Sequence, residues 1–388
     1  MKYWRGYLTA AIFAAISWML MQTAEKYSTL VDMVYPYVTR SVQGFLVEWT
    51  AGFDFCVWQI AILVFCVLAL AILVLIFVFK GSIIQWFGWV LAAVSVVFCL
   101  HTGLYGLNHY AGPIEDDLRL TMVDYTQDEL EDALIYYRDM ANDLAVSMHR
   151  DYQGMVDYPA FASLARMAPN GFRTLVLERS FSVFAGDYTP VKELGWPELY
   201  TAAGISGYTC YVTGEAAVNS QIPAVSQPFI ICREMAHRMC IAREEDASFA
   251  AFLACEASSS EEYRYSAYFM AYRYCYDALY AIDPAAAMRI RSGCVIELLL
   301  DLEYYNTFFS SREDAEIIEL TDTVTSVNLA IRGDEDGIIS NGSVCDYLVN
   351  WYLTEYNTEE EAPEFLFDPY DETQVDLSGI VNAVIPQP

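Results

Sequence analysis

Twenty-four consecutive residues, Cys56 to Phe79, carry no charge. At about 1.5 Å of rise per residue such a run covers the roughly 30 Å of bilayer hydrocarbon, and a helix closes its backbone hydrogen bonds internally. The run therefore ties the chain to a membrane, and two other apolar runs join it. Gly6 to Gln22 lies behind Lys2 and Arg5, and with no small-x-small cleavage site after it we read it as a span, not a removed signal. Ile83 to Leu104 follows the Lys80 turn and carries Trp86 and Trp89 near one end, as an interfacial aromatic belt would. Between the first two runs, residues 27–55 alternate apolar and aromatic residues with Asp32, Arg40 and Glu48, the pattern of an amphipathic helix on a membrane surface.

Spans at about 6–22, 56–79 and 83–104 put the two ends of the chain on opposite sides. Lys2, Arg5 and Lys80 fall on one side, Lys26 and Arg40 on the other, so the positive-inside rule predicts a cytoplasmic N-terminus and an extracytoplasmic bulk at the plasma membrane. The chain has 21 basic and 51 acidic residues, and only five and four of them precede Tyr105. A domain so acidic repels phosphate backbones, which argues against nucleic-acid binding.

Residues 105–358 read as one mainly helical domain. Thr126 with Glu129 has capping-box spacing, and Leu130, Ala133, Leu134, Tyr137 and Ala141 recur at helical period. Glycine and proline dominate 186–228, where Tyr208 to Val218 is the best strand candidate. Helices are predicted over about 229–241, 244–256, 261–282, 284–309, 312–332 and 343–356, with a turn over 334–342. Residues 359–388 form an acidic, proline-bearing tail. The ten cysteines form no C-x-x-C pair, so neither a zinc ribbon nor a thioredoxin-like site is indicated.

The chemistry concentrates in Pro228 to Ser248. Arg233, Glu234 and His237 occupy the places of an H-E-x-x-H zinc-peptidase motif, with arginine where the first histidine belongs. In the intact motif two histidines one turn apart share zinc, and the glutamate activates the metal-bound water. A guanidinium has donors and no lone pair, so Arg233 cannot be a ligand. Glu244 lies seven residues after His237, near the same helical face. Reaching one ion with it would need a bend around Met239 to Ala242, while Asp246 falls on the opposite face. A weaker alternative is a rebuilt zinc site, in which His237, Cys240 and Glu244 form one stripe and Cys240 supplies a thiolate. Alternatively Arg233 pairs with Glu244 or Asp246 and stands in for the metal. Tyr265 could donate to an oxyanion, although packing on the next helix explains it as well. His101, His109 and His149 show no ligand spacing.

Four stretches together resemble a bacterial family of uncharacterised three-span membrane proteins with a zinc-metallopeptidase-like extracytoplasmic domain. They are Y-G-L-N-H-Y at Tyr105 to Tyr110, R-E-M-A-H at Arg233 to His237, E-E-D-A-S-F-A-A-F-L-A-C at Glu244 to Cys255, and Y-S-A-Y at Tyr265 to Tyr268. The resemblance implies a zincin-like helical domain with a small sheet, Glu234 as general base, and His237 and Glu244 as zinc ligands. Arg233, Asp246 and Ser248 depart from the family pattern. The expectation is a membrane-anchored, metallopeptidase-like protein of the cell envelope, acting on or binding a peptide or protein, with zinc weakly held or absent and hydrolysis impaired. The alternatives are an active zinc peptidase with a rebuilt site and a non-catalytic binding or regulatory protein.

Overall fold

The computed structural model describes residues 4–312 and 341–356. Four long helices come first: α1 (Arg5–Lys26), α2 (Ser28–Thr50), α3 (Val57–Val78) and α4 (Ile83–Leu104). Of these, α1, α3 and α4 are long and apolar enough to cross a membrane. Helices α1 and α4 lie in parallel contact. Gly6 meets Gly88 near their starts, and a Cβ on Gly6 would come within 2.5 Å of the Gly88 carbonyl carbon. Near their ends Met21 and Ala24 pack with Phe98 and Leu107. Such small-residue seams let apolar helices approach closely where no hydrophobic effect drives them together.

Helix α3 runs back between them in sequence and turns into α4 at Lys80, whose φ is +51°. Its start is fastened to the rest of the protein. The backbone N–H groups of Val57 and Trp58 donate to the two carboxylate oxygens of Glu215 at 2.8 and 3.0 Å, and Lys192 Nζ lies 2.7 Å from the same carboxylate. A carboxylate at a helix N-terminus satisfies orphan donors and opposes the helix dipole.

The remaining elements build a helical body. They are α5 (Ile114–Leu118), α6 (Gln127–Ser147), α7 (Phe161–Met167), α8 (Pro169–Glu178), β1 (Lys192–Glu193), α9 (Pro197–Ala202), β2 (Gly207–Cys210) and β3 (Glu215–Val218). After these come α10 (Gln227–Arg238), α11 (Glu244–Glu256), α12 (Glu261–Ile282), α13 (Pro284–Arg291), α14 (Ile296–Arg312) and α15 (Asn341–Glu355). The capping box at Thr126 and Glu129 is formed at the start of α6. Tyr137, Phe252, Phe269 and Leu348, from α6, α11, α12 and α15, are fully buried in one continuous core. The fold is mainly helical with one small sheet. That sheet has the order β1-β3-β2, with β1 parallel and β2 antiparallel to β3.

Two predicted elements divide. The strand expected over 208–218 is a hairpin, because Gly214 takes a φ of +71° and turns the chain between β2 and β3. The helix expected over 284–309 breaks into α13 and α14 around Gly293. A Cβ there would meet the Arg138 guanidinium at 2.7 Å, and Arg138 Nη1 donates to the Ile290 carbonyl at the end of α13. The expected 312–332 helix beyond Arg312, most of the 334–342 turn and the 359–388 tail lie outside the described residues.

Candidate functional site

Helix α10 begins with Pro228 in its first turn, where a missing N–H costs nothing. It ends one residue after His237 in a Schellman arrangement. Cys240 N–H donates to the His237 carbonyl, Ile241 N–H to the Ala236 carbonyl, and Cys240 sits in the left-handed region at φ +69°. This is the bend that sharing between His237 and Glu244 requires. Helix α11 then starts at Glu244, and Glu244 Oε2 comes 3.4 Å from His237 Nε2.

The other ring nitrogen is committed. His237 Nδ1 lies 3.0 Å from the Ile241 carbonyl oxygen, an acceptor only, so Nδ1 carries the proton and Nε2 faces Glu244. The Tyr105 hydroxyl, one residue beyond α4, donates to the same carbonyl at 3.3 Å, and its ring stacks on Tyr211. Burial opposes charge on His237, but the Glu244 carboxylate outweighs it and raises its pKa. Glu244 stands at the rim, its side chain 56% exposed. Its partial burial would raise its own pKa, yet His237 first, then Arg233 and His109, bring it down to about 2.

Glu234 lies deeper, only 2% exposed, against strand β2. Gly207 makes the space: a Cβ there would sit 2.6 Å from both Cγ and Oε1 of Glu234. Both carboxylate oxygens are engaged. Thr209 Oγ1 donates to Oε2 at 2.9 Å, and Arg233 Nη2 donates to Oε1 at 3.2 Å. Arg233 Nη2 also reaches Ser206 Oγ at 3.2 Å. Burial would lower the Arg233 pKa, but Glu234 and Glu244 together reverse this and raise it. The guanidinium therefore sits as a fixed positive charge, held by the residue beside it and felt by Glu244.

The structure thus gathers Arg233, Glu234, His237 and Glu244, and sends the other candidates elsewhere. Asp246 does not face Arg233. As the helical register implies, it turns away, accepts from the Tyr347 hydroxyl at 2.8 Å, and is pushed by burial up to about 7. Cys240 leaves the helical stripe because the helix has ended. Its thiol lies beside Thr39 and Asn108, and burial pushes it up to about 11. Tyr265 is buried on α12 and donates to Asp301, which also takes two bonds from Arg150 at 2.9 and 2.8 Å. It braces the core away from the cleft.

Several contributors carry no spacing signal in the sequence: Tyr105, His109, Ser206, Gly207, Thr209 and Tyr211. Tyr105 and His109 belong to the Y-G-L-N-H-Y stretch, which forms a 3-10 turn at Gly106–Tyr110 leading from α4 into the cleft. Only the fold brings them within reach of residues more than a hundred positions later.

A family model described as a protein of unknown function (DUF3810) matches residues 31–349. The chain belongs to that family. No curated protein and no solved structure matches it. The DUF3810 match runs from α2 into α15, so every cleft residue named above lies inside it and α1 lies outside. A catalytic zinc takes three protein ligands and keeps a fourth position for water. This cleft offers His237 Nε2 and Glu244 Oε2 facing each other, with the Arg233 guanidinium beside Glu234. That donor set does not fit a three-ligand zinc centre.

Proposed function

We propose that this chain is a membrane-anchored, metallopeptidase-like protein of the cell envelope whose cleft is impaired in zinc hydrolysis. The observation that supports it most is the Arg233 guanidinium 3.2 Å from Glu234 Oε1, where an intact motif has a zinc-bound imidazole. The arginine supplies positive charge between carboxylates without an open coordination position. Glu234 is the general base of an intact motif, but here its two oxygens are oriented by the Thr209 hydroxyl and the Arg233 guanidinium in place of a metal-bound water. With its N-terminus in the cytoplasm, the helical body and its cleft face the extracytoplasmic side.

The engaged Glu234 also favours a second reading. On that reading the cleft holds a peptide or protein segment and regulates or presents it without cleaving it.

Metal content of the purified full-length protein separates these readings from an active peptidase. Wild type is expected to carry well under one zinc per chain, and Arg233→His to approach one. One tightly bound zinc per wild-type chain would overturn the impaired reading and support a rebuilt site.

A further inference from the structure

Helix α2 has two faces. Thr39, Gln43, Val47 and Thr50 are buried against the helical body. Leu30, Val34, Val38, Phe45 and Trp49 are exposed, and at 100° per residue they fall on the opposite side. The height of the helix is fixed by α4. The Tyr35 hydroxyl donates to the carbonyls of Thr102 and Gly103 at 3.1 and 2.9 Å, and Gln43 Nε2 to that of Leu104 at 3.3 Å. These are the last carbonyls of a helix long enough to cross a bilayer. In sequence α2 also lies between two other such helices, with one residue separating it from α1.

We propose that α2 lies in the plane of the membrane with its Leu30-to-Trp49 face seated in the lipid leaflet. A helix joined to two spans and level with the end of a third meets the interface, where an apolar face is buried among headgroups and upper acyl chains. The charges on α2 do not reach for lipid phosphate. Arg40 turns inward, its Nε donating to the Met239 carbonyl at 3.0 Å, and Asp32 accepts from Gly112 N–H at 2.8 Å. Glu48 is exposed and would be repelled by anionic headgroups. Apolar area, not headgroup charge, therefore seats the helix. The seated helix carries the cleft on its other face: Arg40 holds the end of α10 through Met239, and Gln43 Nε2 donates to the Tyr211 carbonyl at 3.0 Å.

The test uses the full chain with a benzophenone-bearing amino acid replacing Leu30, Val38, Phe45 or Trp49, reconstituted in phosphatidylcholine vesicles with and without phosphatidylglycerol. Tyr152, 95% exposed on the helical body, is the negative control, and Leu70 of α3 is the positive one. Illumination is expected to give phospholipid adducts by mass spectrometry at the four α2 positions and at Leu70, in similar yield in both vesicles, and none at Tyr152. Crosslinks to a second copy instead of lipid, or no adducts on α2 beside adducts at Leu70, would overturn the proposal. Adducts that appear only with phosphatidylglycerol would overturn seating by apolar area. Missing adducts at Leu70 would refute the spans on which the inference rests, without bearing on the metal reading.

Discussion

Arg233 and Asp246 show two ways of keeping a charged residue inside this fold. Arg233 and Glu234 form an ion pair with side chains 19% and 3% exposed. Removing one partner of a pair that buried strands the other, which costs about 3–5 kcal/mol. Arg233→Ala should therefore lower the melting temperature clearly, and adding Glu234→Gln should recover part of the loss. A double-mutant cycle without coupling between 233 and 234 would remove the surrogate-cation argument. Asp246 behaves differently. The Tyr347 hydroxyl lies 2.8 Å from Asp246 and 2.6 Å from Glu115, and one hydroxyl proton serves only one carboxylate, so the trio is best satisfied when a carboxyl keeps its proton. With the Asp246 pKa raised from 3.8 to about 7, the folded state binds that proton more tightly than the unfolded state. This contribution is full at low pH and is lost as pH rises through about 7. Asp246→Asn should thus raise the melting temperature at pH 8, by less at pH 5, and leave it nearly unchanged below about pH 4. A drop at pH 8 would contradict the protonated carboxyl.

Elements were legible in the sequence where local chemistry decides them. The Thr126 capping box, the acidic first turn of α11 at Glu244 and the long apolar periods of α3 and α4 all act within a few residues. The misses are tertiary. Gly293 breaks a helix because Arg138 of α6 occupies the space beside it, and Gly214 turns a strand into a hairpin where the backbone of α2 comes within 2.7 Å of a Cβ. The site was half legible for the same reason. Spacing could pair His237 with Glu244 only on condition of a bend, and it could not say that Arg233 would settle on its neighbour Glu234. The α1–α4 seam tests how strongly packing sets these elements. Gly6 faces Gly88 backbone, which cannot rotate away as a side chain can. Gly6→Val should force the two helices apart and lower the thermal stability of the full-length protein in detergent. Unchanged melting would mean that the seam contributes little.

At the scale of the whole molecule, the helices constrain topology more than the charges alone. Gly6 beside Gly88 sets the starts of α1 and α4 at one level, with Arg5 and the Lys80 turn at the same end. The opposite end has Lys26 and Arg40, so the basic residues at the spans count three against two. The acidic residues, 47 of the 51 after Leu104, contribute little to orientation, which follows Lys and Arg close to the spans. A reporter fused after Tyr356 should score extracytoplasmic, and one inserted between Lys80 and Gly81 should score cytoplasmic. Replacing Arg5 and Lys80 by glutamine should weaken that bias and yield mixed scores, whereas Arg40→Gln should leave it intact. If the reporter after Tyr356 scores cytoplasmic, the cleft faces the other compartment and the envelope assignment fails with it.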